Sequence, residues 1–435
     1  MESAMLADGS SGASVLFTNV SVFDGAHKRR VKNACVLVEG EMIKLVSDGR
    51  IDVEGAAVID GGGRTLMPGL INAHYHSMFA SITIAEGMSV PEGYVNIRAA
   101  KNAEKVLMNG FTTVRDMGGS SFGLKRAIDE GLIAGPRIYP SGPIIGQTSG
   151  HTDFRPYSAV PTSAAEPLPD YLNMYRSGHL ALADGVPEVI KRARESLRMG
   201  ATQIKLAAGG GVASDYDPID VGEYTYEELK AAVDVAATWN TYVSVHVYTS
   251  RSIRTALRAG VRSIEHGQMM DEPTAKLIAE KGIWLSTQPF LDDEDAVPFP
   301  EGSENRKKQL EMSSGTHRVY GWARKYGIRA AFGTDVLFSP PLAERDGKML
   351  AKLKRWYTPF EALKMATHDN AQLLKMCGPR DPYKKGDLGV VRAGAYADLL
   401  LVDGDPLEDL DLVADPGKNF RVIMKGGRVY KNTLS

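Results

Sequence analysis

The rhythm of apolar and polar positions changes twice along the chain. At the start, "SVLFTNVSVFDG", "ACVLVEG" and "MIKLVSDG" are short apolar-rich runs ended by Gly or Asp-Gly, and "AVIDGGGRTLMPG" continues the pattern to residue 69. Such runs predict strands joined by tight turns. The end of the chain reads alike, in "GDLGVVRAGAYA", "ADLLLVDGDP" and "FRVIMKGGRVYKN". Two β-rich ends around a different middle predict one small β-sandwich formed by both, over 15–66 and 378–435.

Over 67–377, short apolar strands alternate with stretches of helical period. The strands are "LMPGLINAHYH", "TTVRDMGG", "RIYPSGPI", "TQIKLAAGG", "YVSVHVY", "RSIEHG", "IWLSTQPF" and "RAAFGTD". Between them lie "IRAAKNAEKVLMNG", "FGLKRAIDEGLIAG", "VPEVIKRARESLRMG", "TYEELKAAVDVAATWN", "SRSIRTALRAG", "EPTAKLIAEKG" and "HRVYGWARKYG", several closing on the Gly that suits a helix C-cap. Eight βα units predict an α/β fold, a (β/α)8 TIM-like barrel. A doubly wound open sheet would carry G-x-G-x-x-G after an early strand, and none is present. The segments 144–180 and 291–316 are longer than a βα connection needs, which predicts lids or oligomer contacts. Residues 1–14, small and polar, are read as disordered or tag-like.

Composition narrows the function classes. Lys+Arg 51 against Asp+Glu 53 gives a formal net charge of −2, which favours neither nucleic acid nor an anionic membrane as partner. The chain has 2 cysteines, Cys35 and Cys377, too few and too far apart for a disulfide framework. With no signal-peptide pattern and no apolar run near the ~18 residues of a membrane span, the expectation is a cytoplasmic protein.

The chemistry sits at the predicted strand ends. His74 and His76 end the first strand, Lys205 lies on the fourth, His246 ends the fifth, His266 the sixth and Asp335 the eighth. The C-terminal ends of barrel strands share one mouth, so these six side chains should converge. Side chains alternate along a strand, so His74 and His76 share a face while Tyr75 points away. Imidazoles and a carboxylate suit Zn²⁺, with Mn²⁺ or Co²⁺ as options. Taken singly, each residue has a structural explanation: a hydrogen-bonded core histidine, a turn aspartate, a snorkelling lysine. Taken together these weaken, because 9 histidines occur in the whole chain and four fall at strand ends. A buried lysine is also costly unless its charge is removed or paired.

The set "HYH", "IKL", "VHVY", "SIEHG" and "FGTD" resembles the amidohydrolase superfamily with a two-metal centre. "GQTSGHTDFRP", "IKLAAGGGVASDYDP" and "HVYTSRSIRTALRAGVRSIEHG" resemble its prolidase-like branch, which includes Xaa-Pro and Xaa-Arg dipeptidases, ochratoxin-hydrolysing enzymes and imidazolonepropionase-like relatives. Ser149 stands where relatives often have Gly. The resemblance implies two divalent metal ions, Zn²⁺ foremost. His74, His76 and Asp335 would hold one ion, His246 and His266 the other, and a CO2-derived carbamate on Lys205 would bridge them. Asp335 would move the proton.

By the same resemblance His151 and Tyr248 would hold the substrate's α-carboxylate. Arg155 could assist through its fork geometry, with a surface role as the alternative. His317 is weighed between the substrate site and a structural role, and Asp116 is read as support for the site or its strand. "GGGVAS" lacks the Lys-Ser/Thr of a phosphate-binding loop and reads as a flexible loop lining the substrate. The implied activity is hydrolysis of the amide bond in dipeptides or N-acyl amino acids with a free C-terminal carboxylate, by a homo-oligomer. A cyclic-amide, phenylurea or carbamate hydrolase is the alternative, and a binding protein that has lost its site is the non-enzyme reading.

Overall fold

The structure is a computed structural model that describes residues 14–159 and 173–434. The expectation for the N-terminal tail therefore falls outside the described residues up to residue 13, and Ser14 already opens a strand. Strands from both chain ends share one sheet. Thr65–Pro68 runs parallel to Ser14–Val22 on one side and antiparallel to Leu399–Val402 on the other. Val31–Glu39 and Met42–Ser47 extend it at one edge, Phe420–Lys425 and Arg428–Asn432 at the other. Phe17, Val36, Leu66, Leu399, Leu401 and Val422 form its apolar core.

The sequence run "LMPGLINAHYH" divides at Gly69. Thr65–Pro68 belongs to this sheet, and Leu70–Tyr75 is the first strand of the barrel. The other barrel strands are Phe111–Asp116, Arg137–Pro140, Ile204–Ala207, Val243–Thr249, Ser263–Met269, Trp284–Thr287 and Arg329–Phe332, all parallel where paired. Helices follow in the predicted rhythm. Those over Val186–Met199, Ser250–Ala259 and Thr316–Tyr326 end on Gly200, Gly260 and Gly327, each with left-handed φ. Val245 and Val247 pack with Ile253 and Ala256 of the Ser250–Ala259 helix, which leaves the alternate positions of that strand to the barrel interior.

Two features differ from the sequence expectation. The 144–180 segment contributes strands Ile144–Gly146 and Leu180–Leu182, which continue the parallel sheet beside the fourth barrel strand; residues 160–172 lie outside the described region. The 291–316 segment holds the helix Glu304–Ser313.

Closure between the eighth strand and the first depends on one side chain and on the site itself. Asn370 Nδ2 donates to the carbonyls of Ile71 and Phe332 at 2.7 and 2.8 Å, and its Oδ1 accepts from Phe332 N–H at 3.1 Å. The Thr334 and Asp335 amides both donate to the His74 carbonyl, at 3.2 and 2.8 Å. The backbones meet so closely that a Cβ on Gly333 would lie 2.5 Å from His74 Cβ, which explains the glycine in "FGTD". Asn370→Ala would strand three buried backbone groups, at about 1–3 kcal/mol for each one left without water. We expect a loss of about 3 kcal/mol after relaxation, seen as a lower unfolding midpoint in calorimetry; an unchanged midpoint would contradict the closure role.

Candidate active site

The six residues expected as metal ligands, of the ten predicted site residues, all line one cavity of about 160 Å3 at the C-terminal mouth of the barrel, together with His151 and Tyr248. His76 Nε2 and His74 Nε2 lie 2.9 and 3.1 Å from the same oxygen, Asp335 Oδ1, and His266 Nδ1 lies 3.9 Å from Oδ2. The ring of His266 is 5.1 Å from that of His74 and 4.5 Å from that of His246, centroid to centroid. Tyr75, between the paired histidines, faces the Glu92–Met108 helix, where Asn102 donates to its hydroxyl at 2.7 Å. Alternation thus orients this pair as expected.

Backbone conformation brings in the other two ligand candidates of this cluster. His266 and Asp335 have φ of +76° and +50°, uncommon for residues with a Cβ. Adjacent strand residues ordinarily face opposite sides. The left-handed turn at His266 breaks that alternation, so both Glu265 and His266 point into the barrel.

Electrostatics follow from burial. Burial pulls the Lys205 ammonium down to about 8, partly offset by Glu265 and Asp335. Among the described residues its ammonium has no hydrogen-bond partner. Burial also lowers His266 to about 3, and lowers His246 well below its ordinary value with His151 and His266 adding to the effect. Burial alone would raise Asp335, yet His74 and His76 hold it well below the usual carboxylate range. His246 and His266 are therefore neutral rings beside an ionised carboxylate, the protonation state that metal binding requires.

His74 Nε2 is buried and makes no hydrogen bond, because its 3.1 Å approach to Asp335 Oδ1 lacks hydrogen-bond geometry, a costly condition for a ring nitrogen unless something else engages it. His74, His76 and Asp335 bring their donor atoms within 4.8 Å of one another. The residues present fit a divalent ion.

Sequence reading missed the groups that orient these ligands. Glu265 Oε2 lies 2.8 Å from His74 Nδ1, an arrangement that fixes the ring and directs Nε2 at Asp335. Glu265 itself receives Arg115 Nη2 at 2.7 and 2.8 Å, Ser263 Oγ at 2.7 Å and Ser244 Oγ at 2.5 Å. Gln288 Oε1 accepts from His266 Nδ1 at 2.7 Å. The one available signal was the Glu-His pair in "SIEHG"; strict alternation admits only one of that pair to the interior. Asp116 is buried beside His76, and burial raises its carboxyl.

Two predicted substrate residues do not reach the cavity. Arg155 is engaged by Asp153, with Nε–Oδ1 at 2.7 Å and Nη2–Oδ2 at 2.6 Å, so its fork is already filled. His317 accepts at Nδ1 from Trp356 Nε1 at 3.1 Å and packs against that indole. By contrast Arg345 and Lys352, unremarked in sequence, do line the cavity. They pair with Asp295, and Lys352 also with Asp293 at 2.6 Å, tying the connection after the seventh strand to that after the eighth. Phe290, Val297, Phe299, Met312 and Leu337 make the rest of the wall largely apolar.

The sequence model of the amidohydrolase family matches residues 65–429, spanning the barrel and the strands that flank it. The chain belongs to the amidohydrolase family. This amidohydrolase is 33% identical over 381 residues to the ochratoxinase of Aspergillus niger, covering 84% of this chain and 75% of that protein. Among solved structures it superposes on a prolidase bound to N-methylphosphonate-L-proline with a TM-score of 0.88 at 33% identity, covering 97% of this chain and 100% of that one. It superposes on a Xaa-Pro dipeptidase with bound methionine at 0.82 and 27%, over 97% and 100%. The amidohydrolase is accordingly an enzyme, a hydrolase acting on C–N bonds. No helix of the described residues is long and apolar enough to cross a membrane.

Proposed function

We propose that this amidohydrolase cleaves the amide bond of dipeptides or N-acyl amino acids that end in a free carboxylate. The observation that carries the reading is the convergence of four imidazoles, Asp335 and Lys205 on one cavity, with His74 Nε2 buried and making no hydrogen bond. His74, His76 and Asp335 would hold one divalent ion, with Zn²⁺ foremost. His246 and His266 would hold a second, and Lys205 would serve both as its carbamate. Divalent ions bound there supply Lewis acidity and a nucleophilic water at neutral pH.

The chain's own groups do the rest. Lys205, buried and with a lowered ammonium pKa, presents an amine that can add CO2 with release of one proton. Glu265 keeps His74 in one tautomer and orientation. Asp335, held ionised, would take a proton from the attacking water and return it to the leaving nitrogen. His151 and Tyr248, on the cavity wall, would receive the substrate's carboxylate, and the apolar wall would receive its side chains. The prolidase and the dipeptidase named above favour peptide-like substrates, and the A. niger relative favours ochratoxin-type amides. A cytoplasmic homo-oligomer belongs to the same reading.

The test is a panel of dipeptides and N-acyl amino acids, each with its ester or amide counterpart, supplied with Zn²⁺ and bicarbonate. Free acids should be preferred, and prior chelation should abolish turnover until Zn²⁺ is restored. Equal rates on acids and esters, or full activity after exhaustive chelation, would contradict the reading.

A further inference from the structure

Three segments far apart in sequence meet at His151. Ser214, in the glycine-led loop after the fourth barrel strand, places Oγ 2.8 Å from His151 Nδ1. Glu223, further along the same connection, accepts from the His151 backbone N–H at 2.6 Å. The helix Glu304–Ser313, from the connection after the seventh strand, holds the loop. Lys308 Nζ donates to the carbonyls of Gly211, Ser214 and Asp217 at 3.1, 2.8 and 2.6 Å. Asn305 Nδ2 donates to those of Val212 and Ser214 at 2.9 and 3.3 Å. The loop expected to be flexible is therefore pinned. Its glycines allow close approach: a Cβ on Gly211 would lie 1.8 Å from His151 Nδ1.

The pinned hydroxyl decides which ring nitrogen of His151 carries a proton. Ser214 is fully buried, and among the described residues its hydroxyl has one hydrogen-bond partner, His151 Nδ1. If Nδ1–H donated to Ser214, the serine's own buried O–H would have no acceptor, which is expensive. Asp217 Oδ2, 3.9 Å from Nδ1, is too far to accept from the ring. Ser214 donating to Nδ1 satisfies both groups and leaves the imidazole proton on Nε2. A ring in that tautomer offers a donor to an anion.

We propose that Ser214, held in place by Lys308 and Asn305, sets the Nε2–H tautomer of His151 and so makes the enzyme select amides bearing a free carboxylate. Ser214, Asn305 and Lys308 are positioning residues that act through His151. The inference rests on the reading that His151 meets the substrate's carboxylate.

The test follows benzoate release from N-benzoyl-L-phenylalanine and from its methyl ester by the metal-loaded enzyme. Ser214→Ala should lower the acid-over-ester preference in kcat/KM about tenfold, the size expected for one weakened hydrogen bond to a charged group. The change should appear in KM for the acid. Lys308→Met should act in the same direction, and Lys308→Arg should restore part of the preference. Lys307→Met, an exposed neighbour on the same helix whose partner is Glu304, is the control and should leave the preference unchanged. If Lys308→Met fails to fold, Ser214→Ala decides alone, since it removes one oxygen. A His151→Ala variant that loses the preference while Ser214→Ala keeps it would overturn the inference and spare the reading. A wild type without acid preference, or a His151→Ala variant that retains it, would overturn both.

Discussion

Lys205→Ala is expected to lower kcat by at least about a thousandfold and to leave metal content well below that of the wild type. The side chain is buried in a cavity wall shared with His246, His266 and Asp335, and no described group pairs with its ammonium. A lysine so placed destabilises the fold as a cation and is retained for something other than packing. If its carbamate supplies ligand oxygens, alanine removes them and with them several kcal/mol of transition-state stabilisation, at ~1.4 kcal/mol per tenfold in rate. Added acetate or propionate could enter the space vacated by the side chain and restore part of the activity. Steady-state kinetics and metal analysis of the purified variant check both points. Near-wild-type turnover would remove Lys205 from the reaction.

The second large effect is expected at Glu265. Glu265→Ala leaves Arg115 as a buried cation whose remaining partners are the Ala73 carbonyl and the neutral Tyr242 and Ser263 hydroxyls. Breaking a buried ion pair by removing one member costs about 3–5 kcal/mol. The loss should appear as a much lower unfolding midpoint or as insoluble protein. Glu265→Gln preserves the shape and tests the second role. His74 loses the carboxylate that orients it, for which about 10–100-fold in metal affinity or activity is typical. A folded Glu265→Gln variant with wild-type metal affinity would exclude the orienting role.

The pH dependence follows with a definite sign. Burial would raise the Glu265 carboxyl, but Arg115 and His74 hold it well below its ordinary value. Its contribution is therefore complete above the unfolded-state pKa and fades as pH falls toward the folded-state value. The Gln variant should show a shallower loss of stability on acidification.

Particular residues show how far the sequence reached. Period-two alternation put His74 and His76 on one face and Tyr75 on the other, and the structure has them so. Alternating strands and helices with glycine caps gave the barrel, and the barrel rule gathered Lys205, His246, His266 and Asp335 at one mouth. Arg155 and His317 stay outside the cavity for one shared reason. A side chain's availability depends on which neighbour has already engaged it, and Asp153 and Trp356 had done so.

What the sequence determined by itself is local: the period of each element, its caps, and the residue types standing at strand ends. These follow from steric and hydrogen-bonding rules that act over a few residues. The tertiary structure alone decided which distant groups complete the site. Glu265 reaches His74 because the backbone at His266 turns left-handed, Asn370 joins the first and eighth strands, and Lys308 pins Ser214 against His151. Each joins segments tens to hundreds of residues apart through one side chain. Such contacts are set by how the closed barrel packs, and no spacing along the chain encodes them.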